Sequence, residues 1–372
     1  MTTYVNGRVF DGERLLENCQ LTTQGRVIAA MGPDLPRRGE VVDLGGDILA
    51  PGYVDLQVNG GGGVLLNDAP SVETLRRIAG AHRALGTRAL LPTLITDRPE
   101  VTRAAIAAAV QAVAEGVPGI AGLHLEGPHL SLARKGAHDP ALIRAMTDDD
   151  LALLLDAARA LPVLNVTVAP ENVTEAQVAA LAQAGVLVSL GHSDCDFETA
   201  CRYVDAGARG VTHLFNAMSG LGHRAPGLVG AALARGEVHA GLIADGVHVH
   251  PAAMGAAWRA KRGPGRIFLV SDAMAVAGTD LDRFTLNGRE ITRRDGVLTL
   301  EDGTLAGADL DLTRAVRVLH EQAGVPLAEA LRAATRTPAE LIGLDSGRIV
   351  PGETRTDDMI RIRADLSGLV PL

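Results

Sequence analysis

Gly122-Leu123-His124-Leu125-Glu126-Gly127-Pro128-His129 is the stretch on which the reading of this chain turns. A short apolar run ends in an acid and is then broken by Gly-Pro. An acid at the end of a buried strand is costly unless its charge is compensated, and a bound cation is the compensation expected here. Two later runs end in histidine, Ser189-Leu190-Gly191-His192-Ser193 and Val211-Thr212-His213-Leu214-Phe215-Asn216. One carboxylate and two neutral imidazoles, each from a different strand end, supply three protein ligands for a catalytic zinc-type ion and leave a position for water. A fourth run, Ile267-Phe268-Leu269-Val270-Ser271-Asp272, ends in an aspartate.

Outward from these runs the chain repeats strand, loop, helix. Candidate strands are 54–59, 89–95, 122–126, 163–169, 186–190, 210–215, 239–244 and 267–271. Candidate helices are 72–85, 100–114, 149–160, 175–184, 197–206 and 252–262. Thr174 with Gln177 three residues on forms a capping-box pattern. Eight strands mostly separated by helices predict an α/β fold, a closed (β/α)8 TIM-like barrel, in which active sites lie at the C-terminal strand ends. Glu126, His192, His213 and Asp272 fall at the ends of the third, fifth, sixth and eighth strands. Taken singly, Glu126, His192 and His213 read as a hydrogen-bonded acid and two packed histidines; together at barrel strand ends they read as ligands. Asp272 has two even readings, a base beside a metal-bound water or a helix cap.

Residues 1–51 read as short strands with turns at Asn6-Gly7, Asp11-Gly12 and Gln24-Gly25. Residues 52–344 are the barrel. Residues 345–372 turn strand-like again and are expected to rejoin the N-terminal strands in a small β-sandwich built from both termini. After the eighth strand, Asn287-Gly288, Asp295-Gly296 and Asp302-Gly303 mark a hairpin excursion. Helical sequence follows at 310–322 and 327–334.

The composition is globular: 47% hydrophobic, 21% charged, and so poor in aromatics (2%) that Ala, Val, Leu and Ile must build the core. A formal charge of −9 argues against a nucleic-acid surface. It also means that an anionic substrate needs a local cationic pocket. Cys19, Cys195 and Cys201 lack disulfide or zinc-finger spacing and read as reduced, packed thiols. No apolar run approaches a membrane span and no signal pattern opens the chain, so a cytoplasmic protein without membrane contacts is expected. Gly60 to Gly63 lacks the Lys-Ser/Thr of a phosphate loop and reads as a flexible loop above the first strand. His138, Arg224 and His248 lie in loops after strands three, six and seven, where they would ring the barrel mouth and could contact an anion. His82, His223, His239 and His320 read as structural or surface residues, and His250 receives no role.

The chain resembles the amidohydrolase superfamily and, within it, the N-acetylglucosamine-6-phosphate deacetylases. The likeness runs over nearly the whole length. It rests on Pro51-Gly52-Tyr53-Val54-Asp55, GLHLEGP at 122–128, Lys135-Gly136-Ala137-His138, Gly191-His192-Ser193 and THLFNAM at 212–218. It continues through Arg224-Ala225-Pro226-Gly227, Ala244-Asp245-Gly246-Val247-His248, Ser271-Asp272-Ala273-Met274 and Leu305-Ala306-Gly307. The resemblance implies release of acetate from N-acetyl-D-glucosamine 6-phosphate in amino-sugar catabolism. It implies that Glu126, His192 and His213 hold the metal, that Asp272 is the base and later the acid, and that His138 supports the acetamide oxygen. Ala137, His138, Asn216, Ala217, Arg224, Asp245, Gly246, Val247, His248, Leu305, Ala306 and Gly307 would contact the sugar phosphate. Arg224 would do so across a homodimer with shared sites. One departure bears on the metal count. Many superfamily members carry His-x-His at the first strand end, whereas this chain has Gln57-Val58-Asn59. One divalent ion per subunit is therefore expected, Zn2+ first, with Fe2+, Co2+ or Mn2+ as alternatives. Two other functions compete: the same chemistry on the galactosamine epimer, and a non-catalytic barrel that binds sugar phosphates.

Overall fold

The computed structural model describes residues 1–372. Eight parallel strands form one sheet in chain order: β1 (Tyr53–Val58), β2 (Thr87–Ile95), β3 (Leu123–Glu126), β4 (Leu164–Val168), β5 (Leu187–Leu190), β6 (Gly210–Val211), β7 (His239–Leu242) and β8 (Ile267–Leu269). β1, β3 and β4 are buried at every position, as strands covered on both faces must be. A helix follows each strand, the last one, Leu312–Glu321, after the hairpin excursion. Thr174 and Gln177 form the expected reciprocal cap, and Thr147 with Asp150 forms a second one.

Several strands are shorter at their C-terminal ends than their apolar runs suggest. β6 keeps only Gly210 and Val211, and the backbone then turns into the left-handed region at His213 (φ 28°), Phe215 (φ 79°) and Ala217 (φ 47°). The helix after β6, Gly227–Ala234, was not expected and has every residue but the last buried. Its apolar residues lie all round it, so it carries no amphipathic period to detect.

The sheet closes between β1 and the segment after β8, and side chains help to make the seam. Asp272 N–H donates to Gln57 O (3.1 Å) and Asn59 N–H to Ala273 O (2.9 Å). Asp55 carboxylate oxygens accept from Ser271 N–H at 3.2 and 3.3 Å. Gly60–Gly61 and Val64–Leu65 pair as a small hairpin whose glycine N–H groups donate to Ala273, Ala275 and Ala277. The four-glycine run is thus a pinned part of the closure and not the flexible loop expected. A side chain on Gly60 would meet Val64 O at 2.4 Å, which explains a glycine there.

The excursion is a three-stranded antiparallel sheet, β9 (Arg283–Leu286), β10 (Arg289–Arg294) and β11 (Val297–Leu300). Both two-residue turns, Asn287-Gly288 and Asp295-Gly296, have positive φ at both positions, the type I′ geometry that suits strand twist. Away from the barrel, Ile48–Pro51 pairs antiparallel with Met359–Ile362, so the two ends of the chain share one five-stranded sheet. That sheet packs on a four-stranded one through Tyr4, Val9, Leu21, Ile28, Leu49 and Met359. No helix is long and apolar enough to cross a membrane.

Candidate active site

At the C-terminal end of the barrel three ligand atoms converge. Glu126 Oε1 lies 3.3 Å from His192 Nε2 and 3.0 Å from His213 Nε2, and the two nitrogens are 3.1 Å apart. All three residues are buried. These separations are close to the edges of a ligand shell at about 2.0–2.1 Å from a central divalent ion. The donor chemistry agrees. His192 Nδ1 donates to the Arg134 carbonyl oxygen at 2.8 Å. A carbonyl can only accept, so that nitrogen carries the proton and Nε2 presents a lone pair. A lone pair aimed at a carboxylate oxygen is repulsive unless a cation stands between them. His192 (φ 47°), His213 (φ 28°) and Asp272 (φ 49°) all adopt the left-handed backbone region. For non-glycine residues this is strained, and here it aims three side chains at one point.

Asp272 reaches the cluster through two amides of β1 and the residue just after it. Gln57 Nε2 donates to Glu126 Oε1 (3.1 Å) and to Asp272 Oδ1 (3.2 Å), and Asn59 Nδ2 donates to Asp272 Oδ1 (2.7 Å). Burial, then the nearby Glu126 charge, pushes the Asp272 carboxyl up to about 6. His138 Nδ1 lies 2.8 Å from Thr96 Oγ1 and its Nε2 lies 3.9 Å from Glu126 Oε2. Burial pushes the pKa of this ring well below the usual imidazole value.

A cavity of about 400 Å³ opens over these groups. Ala137, His138, Asn216, Ala217, His248, Leu305, Ala306 and Gly307 line it with the four acid and histidine residues at its floor. Asp245, Gly246 and Val247 do not. Asp245 instead accepts from His248 Nδ1 (2.6 Å) and from the N–H groups of Val247 and His248, which builds the turn presenting His248. Arg224 is exposed and lies in a neighbouring groove with Asp194, Phe197 and Leu221. Arg134, paired with Asp194 at 2.7 Å, lies between the groove and the cavity and lines both. It is the one Lys or Arg side chain on the cavity wall.

Sequence reasoning passed over several supporting residues. Below Glu126, His124 bridges Thr93 Oγ1 (3.1 Å) and Thr167 Oγ1 (2.8 Å), and Thr167 continues to Thr212 (2.7 Å). Asp55 and Gln57 on the first strand and Asn59 just after it alternate at a two-residue period, as His124 and Glu126 do on the third; Gln57 and Asn59 had been weighed only for the metal count. The two-residue strand period was the signal that could have found them.

The amidohydrolase family model matches residues 48–354. The chain belongs to the amidohydrolase family. It is 47% identical to N-acetylgalactosamine-6-phosphate deacetylase of Shewanella sp. (strain ANA-3), over 79% of this chain and 74% of that one. It is 38% identical to the protein of the same name from Escherichia coli O157:H7, over 93% and 91% of the two chains. The crystal structure of N-acetylglucosamine-6-phosphate deacetylase from Pasteurella multocida superposes with a TM-score of 0.91 at 33% identity, covering 99% of this chain and 96% of that one. The resemblance first seen in GLHLEGP and THLFNAM, and the barrel fold, are both borne out.

Proposed function

We propose that this enzyme hydrolyses the acetamide of an N-acetyl-D-hexosamine 6-phosphate, giving acetate and the amino-sugar phosphate. The observation that carries this is the convergence of Glu126, His192 and His213 on one point, with Asp272 one amide away, at the floor of a cavity large enough for a monosaccharide phosphate. Glu126 and the Nε2 atoms of His192 and His213 would hold one divalent ion, Zn2+ first, with Fe2+, Co2+ or Mn2+ as alternatives. When bound, such an ion polarises a carbonyl and lowers the pKa of a coordinated water. Asp272 takes a proton from the attacking water and delivers it to the amide nitrogen as the C–N bond breaks. His138 donates to the acetamide oxygen while negative charge develops there. The Gln57 amide supports a mononuclear site: its NH2 lies between the Glu126 and Asp272 carboxylates, where a second cation would otherwise offset their repulsion.

Asn216, Ala217, His248 and the 305–307 turn contact sugar and phosphate. Arg224, outside its own chain's cavity, serves the phosphate bound to the partner in a cytoplasmic homodimer. Glucosamine is the first reading of the sugar, from the motifs. Galactosamine is the second, favoured by the names carried by the relatives at 47% and 38% identity. Acetate release measured on both 6-phosphates decides between them. No release from either refutes the deacetylase reading.

A further inference from the structure

The hairpin excursion after β8 walls the cavity with Leu286, Thr304 and the 305–307 turn. Its polar ties to the rest of the chain are few. Arg293 pairs with Asp309 (2.7 and 2.8 Å) and donates to Thr279 O (2.9 Å), all at the excursion's own base. One hydrogen bond made by residues 283–300 reaches outside the segment 279–309: Arg289 Nη2 donates to Ala137 O at 2.6 Å. No sequence signal singled out Arg289. Local structure explains how it gets there. Arg289 opens β10 directly after the Asn287-Gly288 turn and lies opposite Leu286 of β9. Directly opposed residues of an antiparallel pair share a face of the sheet. Leu286 is on the cavity wall, so Arg289 is carried on that same face, with buried Ile291 two residues on. Ala137 packs against the cluster that contains Leu286, Ile291 and Leu298.

The receiving atom matters. Ala137 O belongs to the peptide that joins Ala137 to His138. The N–H of that same peptide donates to Lys135 O at 3.0 Å. A planar peptide held at both edges resists turning, and it sets where the His138 side chain begins. An arginine is a costly way to supply the second hold. Its Nε is buried without a partner, and an unpaired buried donor weighs against folding. An apolar side chain of the same length would pack there without that cost. What the guanidinium adds is the contact to Ala137 O.

We propose that Arg289 is a positioning residue: through Ala137 O it locks the peptide that carries His138, so that the docked excursion aligns His138 over the reacting amide. The excursion is then more than a wall of the cavity. Its one long-range polar contact ends on the backbone of a residue that the mechanism uses. The inference rests on the deacetylase reading for its consequence in catalysis, but the hold on the peptide can be observed without turnover.

The test reads the hold and its consequence separately. Arg289→Met keeps roughly the length of the side chain and removes its donors. In hydrogen–deuterium exchange, the His138 amide, followed in a peptide over residues 135–140, should exchange at least about fivefold faster in Arg289→Met than in the wild type. In acetate release, kcat should fall roughly 10-fold, inside the ~10²-fold that a displacement of about 1 Å can cost, with KM within about threefold and metal content unchanged. In a His138→Asn background the same change should cost less than about twofold more, because its effect passes through His138; a general loosening of the site would multiply the two losses. Arg289→Ala replaces Arg289→Met if that variant does not fold. Unchanged exchange over 135–140 overturns the proposal. So does a Met or Ala variant within about twofold of wild-type kcat, or losses that multiply with His138→Asn. Failure of the wild type to release acetate would sink the deacetylase reading, while the exchange would still decide whether Arg289 holds the peptide.

Discussion

Replacing Asp55 with asparagine should flatten the pH dependence of this protein's stability. Asp55 is fully buried at the barrel seam and accepts N–H groups from Gln57 (3.2 Å) and Ser271 (3.2 and 3.3 Å). Burial, the first cause, pushes its carboxyl up to about 7. In the unfolded chain the value is about 3.9. A carboxyl raised in this way binds its proton more tightly in the folded state. Its contribution therefore favours folding fully below about pH 4 and is lost as pH rises through about 7. Between pH 5 and pH 8 such a group withdraws on the order of 2.5 kcal/mol, at about 1.4 kcal/mol per tenfold change in proton concentration. Asparagine keeps an acceptor oxygen for the two N–H donors and never ionises. Urea unfolding of both proteins, metal-free, at pH 5, 6, 7 and 8 measures the effect. Wild-type stability should fall by about 2–3 kcal/mol more than that of Asp55→Asn across this range. Parallel curves would refute the reasoning, because they would mean that Asp55 does not change its protonation between the folded and unfolded states in this window.

Asp272→Asn should lower kcat by roughly 10²- to 10⁴-fold while metal content is unchanged; turnover within a few-fold of wild type removes Asp272 as the base. Chelation should abolish acetate release, and titration with Zn2+ should restore it at about one equivalent per chain; a requirement for two tightly bound equivalents refutes the mononuclear site. Arg224→Ala should weaken use of the phosphorylated sugar far more than use of N-acetylglucosamine, and mixing it with Asp272→Asn chains should regain activity. Equal losses on both sugars, or heterodimers without activity, refute the phosphate role and the shared site respectively.

Much of the barrel was legible because its strands are runs of Val, Leu and Ile bounded by glycine turns, and its helices announce themselves by caps such as Thr174 with Gln177. The four acid and histidine residues were legible because each closes an apolar run: Glu126 ends its strand, and His192, His213 and Asp272 follow two or three residues after theirs. What escaped detection has definite physical causes. The helix Gly227–Ala234 is apolar on every face, so no period marks it. The early end of β6 follows from the turn that aims His213, and that turn is a tertiary demand with no local propensity behind it. Gly60 to Gly63 looked mobile because four glycines give no local restraint; their partners, Ala273 to Ala277, lie more than two hundred residues away. Thr96 and His124 make hydrogen bonds whose other ends lie on other strands or in the loop carrying His138, which no linear spacing reveals.

The site and the barrel's closure are the same set of contacts. β1 brings Asp55 and Gln57 to the seam and Asn59 follows just after it, all at a two-residue period. Asp55 anchors Ser271 N–H, the Gln57 carbonyl accepts from Asp272 N–H, and both Gln57 and Asn59 donate to the Asp272 carboxylate. A base held only by a loop would sample many rotamers, and a displacement of about 1 Å can cost on the order of 10²-fold in rate. Here the aspartate's own N–H and its carboxylate are both hydrogen-bonded to the seam. The same argument explains why amides stand where other superfamily members use histidine. At a seam between two carboxylates, a neutral side chain with two N–H groups binds both without adding a charge that must itself be compensated. Gln57 spans Glu126 and Asp272 in that way, so under the proposed mechanism the amide that stands in place of a second metal ligand would also couple the metal-binding carboxylate to the proposed base.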